Sequence, residues 1–213
     1  MEYSFHFYNE RATDGVTMAV DTLLKADLRA KLSTRKTTPF KRQFDGNLNA
    51  PPVVVCVGSD LAVGDSLGPL VGSLLKHKTQ GVGAFIYGTL ASPITAKEIK
   101  YIRPFLKATH PFSQCVAVDA AVGDAGDIGL IKLLDKPLLP GAGAQKRLGM
   151  MGDISILGIV AEKSVANFGL LNTTRLNLVY SMAQIISDAL ANLLWNRVLW
   201  AEKPLDNFQE EVL

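Results

Sequence analysis

The chain has 213 residues, of which 48% are hydrophobic and 20% charged, and its formal net charge is +2. That length and apolar content exclude an intrinsically disordered chain and favour one domain with a sizeable core. The small net charge gives no indication of nucleic-acid binding, which requires clustered basic residues. The apolar runs are too short to span a bilayer, and the first residues carry no apolar stretch of signal-peptide length. We therefore expect a cytoplasmic protein without a membrane partner.

Residues 1–50 differ from the rest of the chain. Apolar side chains recur at helical spacing between Ala12 and Leu32, which predicts one amphipathic helix. The polar, basic stretch that follows is interpreted as a linker. The sequence thus predicts an N-terminal helix and linker over residues 1–50, an α/β domain over 51–200 and a C-terminal tail over 201–213. We expect the first part to be partly dispensable for folding.

From residue 51 onwards, apolar runs alternate with helical patterns. The β-branched run 52–58 predicts a first buried strand, and a polar loop separates it from a helix over 69–78. Four further strands are predicted at 84–90, 114–122, 128–134 and 154–161, with helices over 92–108 and from about 172 to about 200. Strands that alternate with helices predict a three-layer α/β/α fold with a mostly parallel sheet.

Ligands of such folds bind beyond the carboxyl ends of the parallel strands, where two aspartates are predicted to lie. Asp65 stands at the entrance to the helix after the first buried strand, and Asp119 ends the apolar run CVAVD. Each has a structural explanation alone, as a helix N-terminal carboxylate or a loop-anchoring acceptor. Together, two carboxylates can share a proton and activate water, ligate a metal, or bind a cationic or hydroxylated ligand.

Five further residues are candidate substrate contacts. Asp60 lies in the loop that follows the first buried strand. Gly141 and Gly143, in the long loop 137–153, let a ligand approach backbone N–H donors, and Lys146 and Arg147 are positioned to hold an anion or a peptide carbonyl. A solvated surface loop is the alternative explanation for all four.

Several kinds of site are not indicated. No histidine lies in the segments expected at this edge, so neither a Ser-His-Asp triad nor a His-rich metal site is supported. Cys56 and Cys115 lie inside predicted strands, which argues against a thiol nucleophile and against a disulfide between them. The glycines of the loop 58–68 match neither a dinucleotide-binding nor a P-loop motif.

The runs GDSLGPLVG, PLLPGAGAQKRLGMMGD and LLNTTRLNLV occur in the order typical of the YyaC family of sporulation proteins, which the chain resembles over residues 52–190. That family is similar in turn to the germination protease and to hydrogenase maturation peptidases of the HybD type, which implies a phosphorylase/hydrolase-like fold. The resemblance to the germination protease implies that Asp65 and Asp119 are catalytic. In the maturation peptidases the same positions are metal ligands, but their third ligand, a histidine, has no counterpart here. Asp153 is the nearest candidate.

The resemblance favours a sporulation-associated, aspartic-type endopeptidase that cleaves a spore protein and needs no cofactor or metal. A second hypothesis is a non-catalytic factor on the same fold that binds a peptide or protein. A metal-dependent maturation peptidase is the third. In each case the partner is a protein or peptide rather than nucleic acid, in the cytoplasm of a mother cell or forespore. A homo-oligomer is left open.

Overall fold

The structure, a computed structural model, describes residues 1–34, 50–140, 149–163 and 174–201. Its helices are α1 (Ala12–Thr34), α2 (Leu67–Lys78), α3 (Ile99–Thr109) and α4 (Leu176–Ala201). Its strands are β1 (Glu2–His6), β2 (Val53–Cys56), β3 (Phe85–Tyr87), β4 (Cys115–Gly123), β5 (Leu130–Leu134) and β6 (Ile154–Glu162). Within these ranges, no helix has both the length and the apolar character needed to cross a bilayer.

The six strands form one mixed sheet in the order β1-β5-β6-β4-β2-β3. β3, β2, β4 and β6 pair in parallel, whereas β5 pairs antiparallel with both β6 and β1. The α/β class is confirmed, and the antiparallel side of the sheet is the departure from the mostly parallel one predicted. Only residues 124–129 connect β4 to β5, far fewer than the dozen or more that a parallel crossover needs, so β5 must run back along the sheet.

The N-terminal segment belongs to this sheet and its core. β1 pairs antiparallel with the whole of β5, forming one edge of the sheet. Along α1, Val16, Val20, Leu23 and Leu24 are fully buried in the same hydrophobic cluster as the central strands. Sequence analysis assigned no strand before α1, and the observed packing argues against treating residues 1–34 as a dispensable arm.

Both faces of the central strands are covered, because successive side chains along a strand point to opposite faces. On one face, Val54 packs in the larger cluster, to which α1, α2 and α4 contribute. On the other face, Val55 packs with Ile99 and Leu106 of α3. α3 continues through Pro104, which lies inside the helix.

We expect Leu23→Ala to lower the free energy of unfolding by about 2–5 kcal/mol, because Leu23 is fully buried in the core and its truncation leaves a cavity. Met18→Ala is the matched control. Met18 lies on the same helix but is 72% exposed, so its truncation should cost less than about 0.5 kcal/mol. Urea denaturation measures both values, and equal stabilities would show that α1 does not belong to the core.

Candidate functional site

Asp65 lies in a short 3₁₀ turn, Gly64–Ser66, that leads directly into α2. The loop before it closes on itself, since the Ser59 backbone N–H donates to the Asp65 carbonyl oxygen at 3.1 Å. Gly58 makes this closure possible, because its φ is +140° and a Cβ there would overlap that same carbonyl oxygen. The loop geometry therefore fixes the backbone of Asp65 beside the end of β2.

α2 lies unusually close to the chain that leaves β2. A Cβ at Gly68 would overlap the carbonyl oxygen of Val57, so only glycine at this first turn of α2 permits the observed contact. Leu67, beside it, is fully buried in the larger hydrophobic cluster and packs the start of α2 against the sheet. Close backbone contact and side-chain burial together place Asp65 over the sheet.

Asp119 ends the apolar run CVAVD but not the strand, because β4 continues to Gly123, close to the predicted strand over 114–122. It does lie where the neighbouring strand stops. Cys56, the last residue of β2, pairs with Val118, and the next N–H, that of Val57, donates to the Val118 carbonyl oxygen at 2.7 Å. The side chain of Asp119 therefore occupies the space that opens where β2 leaves the sheet.

The two aspartates flank the point where the order of the strands reverses. From β2 the chain passes through α2 to β3 on one side, whereas β4 lies on the other side of β2. In α/β sheets, ligands bind in the crevice at such a switch point, beyond the carboxyl ends of the strands. Asp65 follows β2 and Asp119 projects from β4, so both lie at the crevice position that this topology defines.

Burial perturbs both carboxyl groups. It raises the pKa of Asp119, only 8% exposed, well above its ordinary value, and the negative charge of Asp65 raises it further. One hydrogen bond opposes this, from the Ala120 N–H to Asp119 Oδ1 at 2.8 Å. Burial also raises the pKa of the half-buried Asp65, against the opposing effect of the Ser59 N–H. Asp119 thus keeps its proton to higher pH than Asp65.

Such a pair can divide the work of acid and base. One ionised carboxylate can take a proton from water while its protonated neighbour donates a hydrogen bond to a carbonyl oxygen. Neither cysteine offers a rival nucleophile. Both are free, and burial raises the pKa of Cys115 to about 12 and that of Cys56 still further, so both remain neutral thiols.

The loop 137–153 was expected beside the aspartates, and that expectation is wrong for both of its described ends. Leu138 pairs with Met151, and the Asp153 N–H donates at 2.7 Å to Cys115, the first residue of β4. Asp119 lies four positions further along β4, about 13 Å away at the usual rise of a strand. The predicted contacts Gly141, Gly143, Lys146 and Arg147 lie outside the described residues. Asp60 is exposed in the loop before Asp65.

Asp153, the sequence candidate for a third metal ligand, does not lie near the other two. It accepts a hydrogen bond from Lys31 Nζ at 2.6 Å and another from the Cys115 N–H at 2.8 Å, and so ties α1 to the start of β4. No group of three His, Cys, Asp or Glu side chains in the described part of the chain is arranged to hold a metal ion. Within the described residues, the two aspartates are therefore without a third ligand.

The connection between β3 and α3 also lies beside the loop that precedes Asp65, and the sequence did not predict this contact. Ile94 pairs with Val57 and accepts a hydrogen bond from the Gly58 N–H at 3.0 Å, which places this connection against the loop before Asp65. Leu90 in this connection and Leu61 in the loop before Asp65 are exposed, by 41% and 90%. The connection follows the parallel strand β3, and this feature of the sequence predicts that it lies at the carboxyl edge of the sheet.

These features define an α/β protein in which a buried and a half-buried carboxyl group, Asp119 and Asp65, interact at the carboxyl edge of its sheet. Residues 29–189 match the family described as "Protein of unknown function (DUF1256)", and the chain belongs to that family. It is 40% identical over 159 residues to "Uncharacterized protein YyaC" of Bacillus subtilis (strain 168), an alignment that covers 75% of this chain and 76% of that protein. No solved structure matches. The resemblance to YyaC is confirmed, while its link to the two peptidase groups stays a prediction.

We expect Asp119→Asn to become more stable relative to the native sequence as pH rises. The pKa of Asp119 is raised in the folded state above the ordinary 3.8, so the folded state binds the proton more tightly than the unfolded state. The free energy of unfolding of the native sequence therefore falls as pH rises from about 3.8 through the raised pKa of Asp119. Asparagine does not titrate, so the variant does not show this fall. Urea denaturation across this range measures the difference in unfolding free energy.

Asp60→Asn is the control for this measurement, because Asp60 is exposed in the loop before Asp65. Its stability should follow that of the native sequence at each pH. Carboxyl NMR titration of Asp65→Asn gives a second check, since removing the neighbouring charge should lower the pKa of Asp119. A pKa of Asp119 that does not change in this variant would show that the two carboxyls do not interact.

Proposed function

We propose that this protein hydrolyses peptide bonds with Asp65 and Asp119 as a proton-sharing pair, as an aspartic-type endopeptidase acting on a spore protein in the cytoplasm of a sporulating cell. The observation that carries the proposal is the interaction between the two carboxyls at the sheet's switch point, where burial and charge raise the pKa of Asp119. The sequence resemblance to the germination protease supports a catalytic role for the same two residues. It also supports a three-layer, phosphorylase/hydrolase-like fold for this chain.

In this mechanism Asp65 is the base, because it is the more exposed carboxyl and ionises first. Asp65 takes a proton from water as the water oxygen attacks the scissile carbonyl carbon. Asp119 gives its proton to the carbonyl oxygen, which forms a neutral tetrahedral diol. Asp65 then passes its proton to the leaving amine and Asp119 recovers a proton from the diol, so both carboxyls return to their starting states.

The hydrogen bonding of Asp119 suits the role of acid. Its Oδ1 accepts the Ala120 N–H at 2.8 Å, which orients the carboxyl group and leaves the other oxygen to carry the proton. The surroundings that act on its pKa are burial, the Asp65 charge and this N–H, and none of them is a cation that would keep it ionised. A carboxylic acid in such surroundings stays protonated at pH values where an exposed one is ionised.

A second candidate function is non-catalytic binding of a peptide or partner protein at the same crevice. Leu61 is 90% exposed and Leu90 is 41% exposed, and both belong to the connections that line this edge. Exposed leucines beside a polar crevice are suited to hold apolar side chains of an extended peptide. In this alternative the aspartates recognise the ligand and no bond is cleaved.

The metal-dependent alternative has no support from the described residues, because two carboxylates are present without a third ligand. We therefore expect nickel, zinc and manganese ions to leave the melting temperature of the full chain unchanged. An ion that binds the folded state alone would raise it. A rise that disappears in both Asp65→Asn and Asp119→Asn would restore the metal hypothesis.

The deciding experiment incubates the pure full chain with spore-core proteins, and separately with itself, and maps cleavage sites by mass spectrometry. We expect defined cleavage by the native sequence and a loss of at least about 100-fold in both Asp65→Asn and Asp119→Asn, because each removes one proton-transfer group. Asp135→Asn is the matched control and should retain cleavage, because Asp135 is exposed and follows β5 at the opposite edge of the sheet, beside the start of β6.

Each result separates the two candidate functions. If Asp65→Asn and Asp119→Asn cleave as fast as the native sequence, the pair mechanism is wrong. If the native sequence cleaves nothing and both variants lose a bound peptide that the native sequence retains, the crevice is a binding site instead.

A further inference from the structure

A second concave site lies at the opposite, amino-terminal edge of the parallel strands. It is a cleft of about 430 Å³, bounded by α3, by the starts of β2 and β4, and by residues 150–153. A cleft of this size matches the range of small-molecule sites in proteins. Asp65 and Asp119 do not line it, so it is a separate site on the same sheet.

Two cations of α3 line this cleft, Arg103 and Lys107. They stand one helical turn apart and so lie on the same face of α3. A Cβ at Gly149 would overlap a guanidinium nitrogen of Arg103, which shows that the arginine head group lies directly against the backbone there. Neither Arg103 nor Lys107 forms an ion pair with an acidic side chain in the described part of the chain.

The acidic residue of the cleft is already engaged. Asp153 Oδ1 lies 2.6 Å from Lys31 Nζ, and Asp153 Oδ2 accepts the Cys115 N–H at 2.8 Å. Lys31 also pairs with Asp27 at 2.9 Å, within α1. The charges of Lys31 and Asp153 thus offset each other, and the positive charge of Arg103 and Lys107 remains available to a ligand.

The inner surface of the cleft is apolar. Val53, Leu106 and Met151 line it and are at least nine-tenths buried. His110 adds a polar but uncharged group, because burial lowers the pKa of its imidazole, which lies 2.6 Å from the Tyr87 hydroxyl. A ligand that fits this cleft combines an apolar body with an anionic group at the mouth.

We propose that this cleft binds a small organic anion. Arg103 and Lys107 hold its phosphate or carboxylate group, and its compact apolar part packs on Val53, Leu106 and Met151. Guanidinium and ammonium groups are the usual partners of such anions, and the guanidinium can bind two oxygens at once. The site does not depend on the proposed peptidase function, so either proposal can fail without the other.

Phenyl phosphate is the probe, because it joins the two halves of the proposed ligand. Calorimetric titration of the full chain should detect binding in the millimolar range or tighter, with weaker binding of inorganic phosphate and of phenol. In two-dimensional NMR, the largest amide shifts should fall on residues 149–153 and on α3. Arg103→Gln and Lys107→Gln should each weaken binding at least about tenfold, the usual effect of losing a charged hydrogen-bond donor.

Lys100→Gln is the matched control, since Lys100 belongs to the same helix but does not line the cleft. It should bind phenyl phosphate as the native sequence does. The proposal is overturned if phenyl phosphate does not bind at millimolar concentration, or if Arg103→Gln and Lys107→Gln bind it unchanged. Amide shifts confined to other surfaces, or equally strong binding of phenol, would overturn it as well.

Discussion

The close approach of α2 to the end of β2 is the contact on which the carboxyl pair depends. Gly68 permits it, because any side chain there would overlap the carbonyl oxygen of Val57. A larger residue would move α2 away from the sheet and take Asp65 with it, since Asp65 enters α2 through a single 3₁₀ turn. Burial is the larger cause of the raised pKa of Asp119, and the added effect of the Asp65 charge depends on this uncharged backbone contact.

Placing Asp65 and Asp119 together in a partly buried position lowers the stability of the fold. Burial disfavours the ionised form of both carboxyls, and neither gains a cationic partner among the groups that act on its pKa. Asp153 shows the contrasting solution within the same chain, where Lys31 and a backbone N–H satisfy the carboxylate. An unfavourable local arrangement within an otherwise well-packed core is typical of sites maintained for function.

The sequence predicted the parts of this molecule that depend on local pattern and missed those that depend on long-range pairing. The apolar runs located β2 to β6, and the position of Asp65 after β2 located half of the crevice. β1 was missed because its short, partly exposed sequence is stabilised by pairing with β5, 124 to 132 residues away. The direction of β5 was predictable from the short connection 124–129, and neglecting that length misplaced the described ends of the loop 137–153.

β4 contributes to both sites, with Cys115 at the cleft and Asp119 at the crevice. It is paired with β6 in a regular register from Val116 to Ala121, and the register shifts only between Ala121 and Val122. Coupling between ligands requires an element with two states that both can bias. Cys115, where β4 reaches the cleft, lies four residues and about 13 Å from Asp119 at the usual rise of a strand. The two sites should therefore act independently, and an anion in the cleft should leave the pKa of Asp119 unchanged.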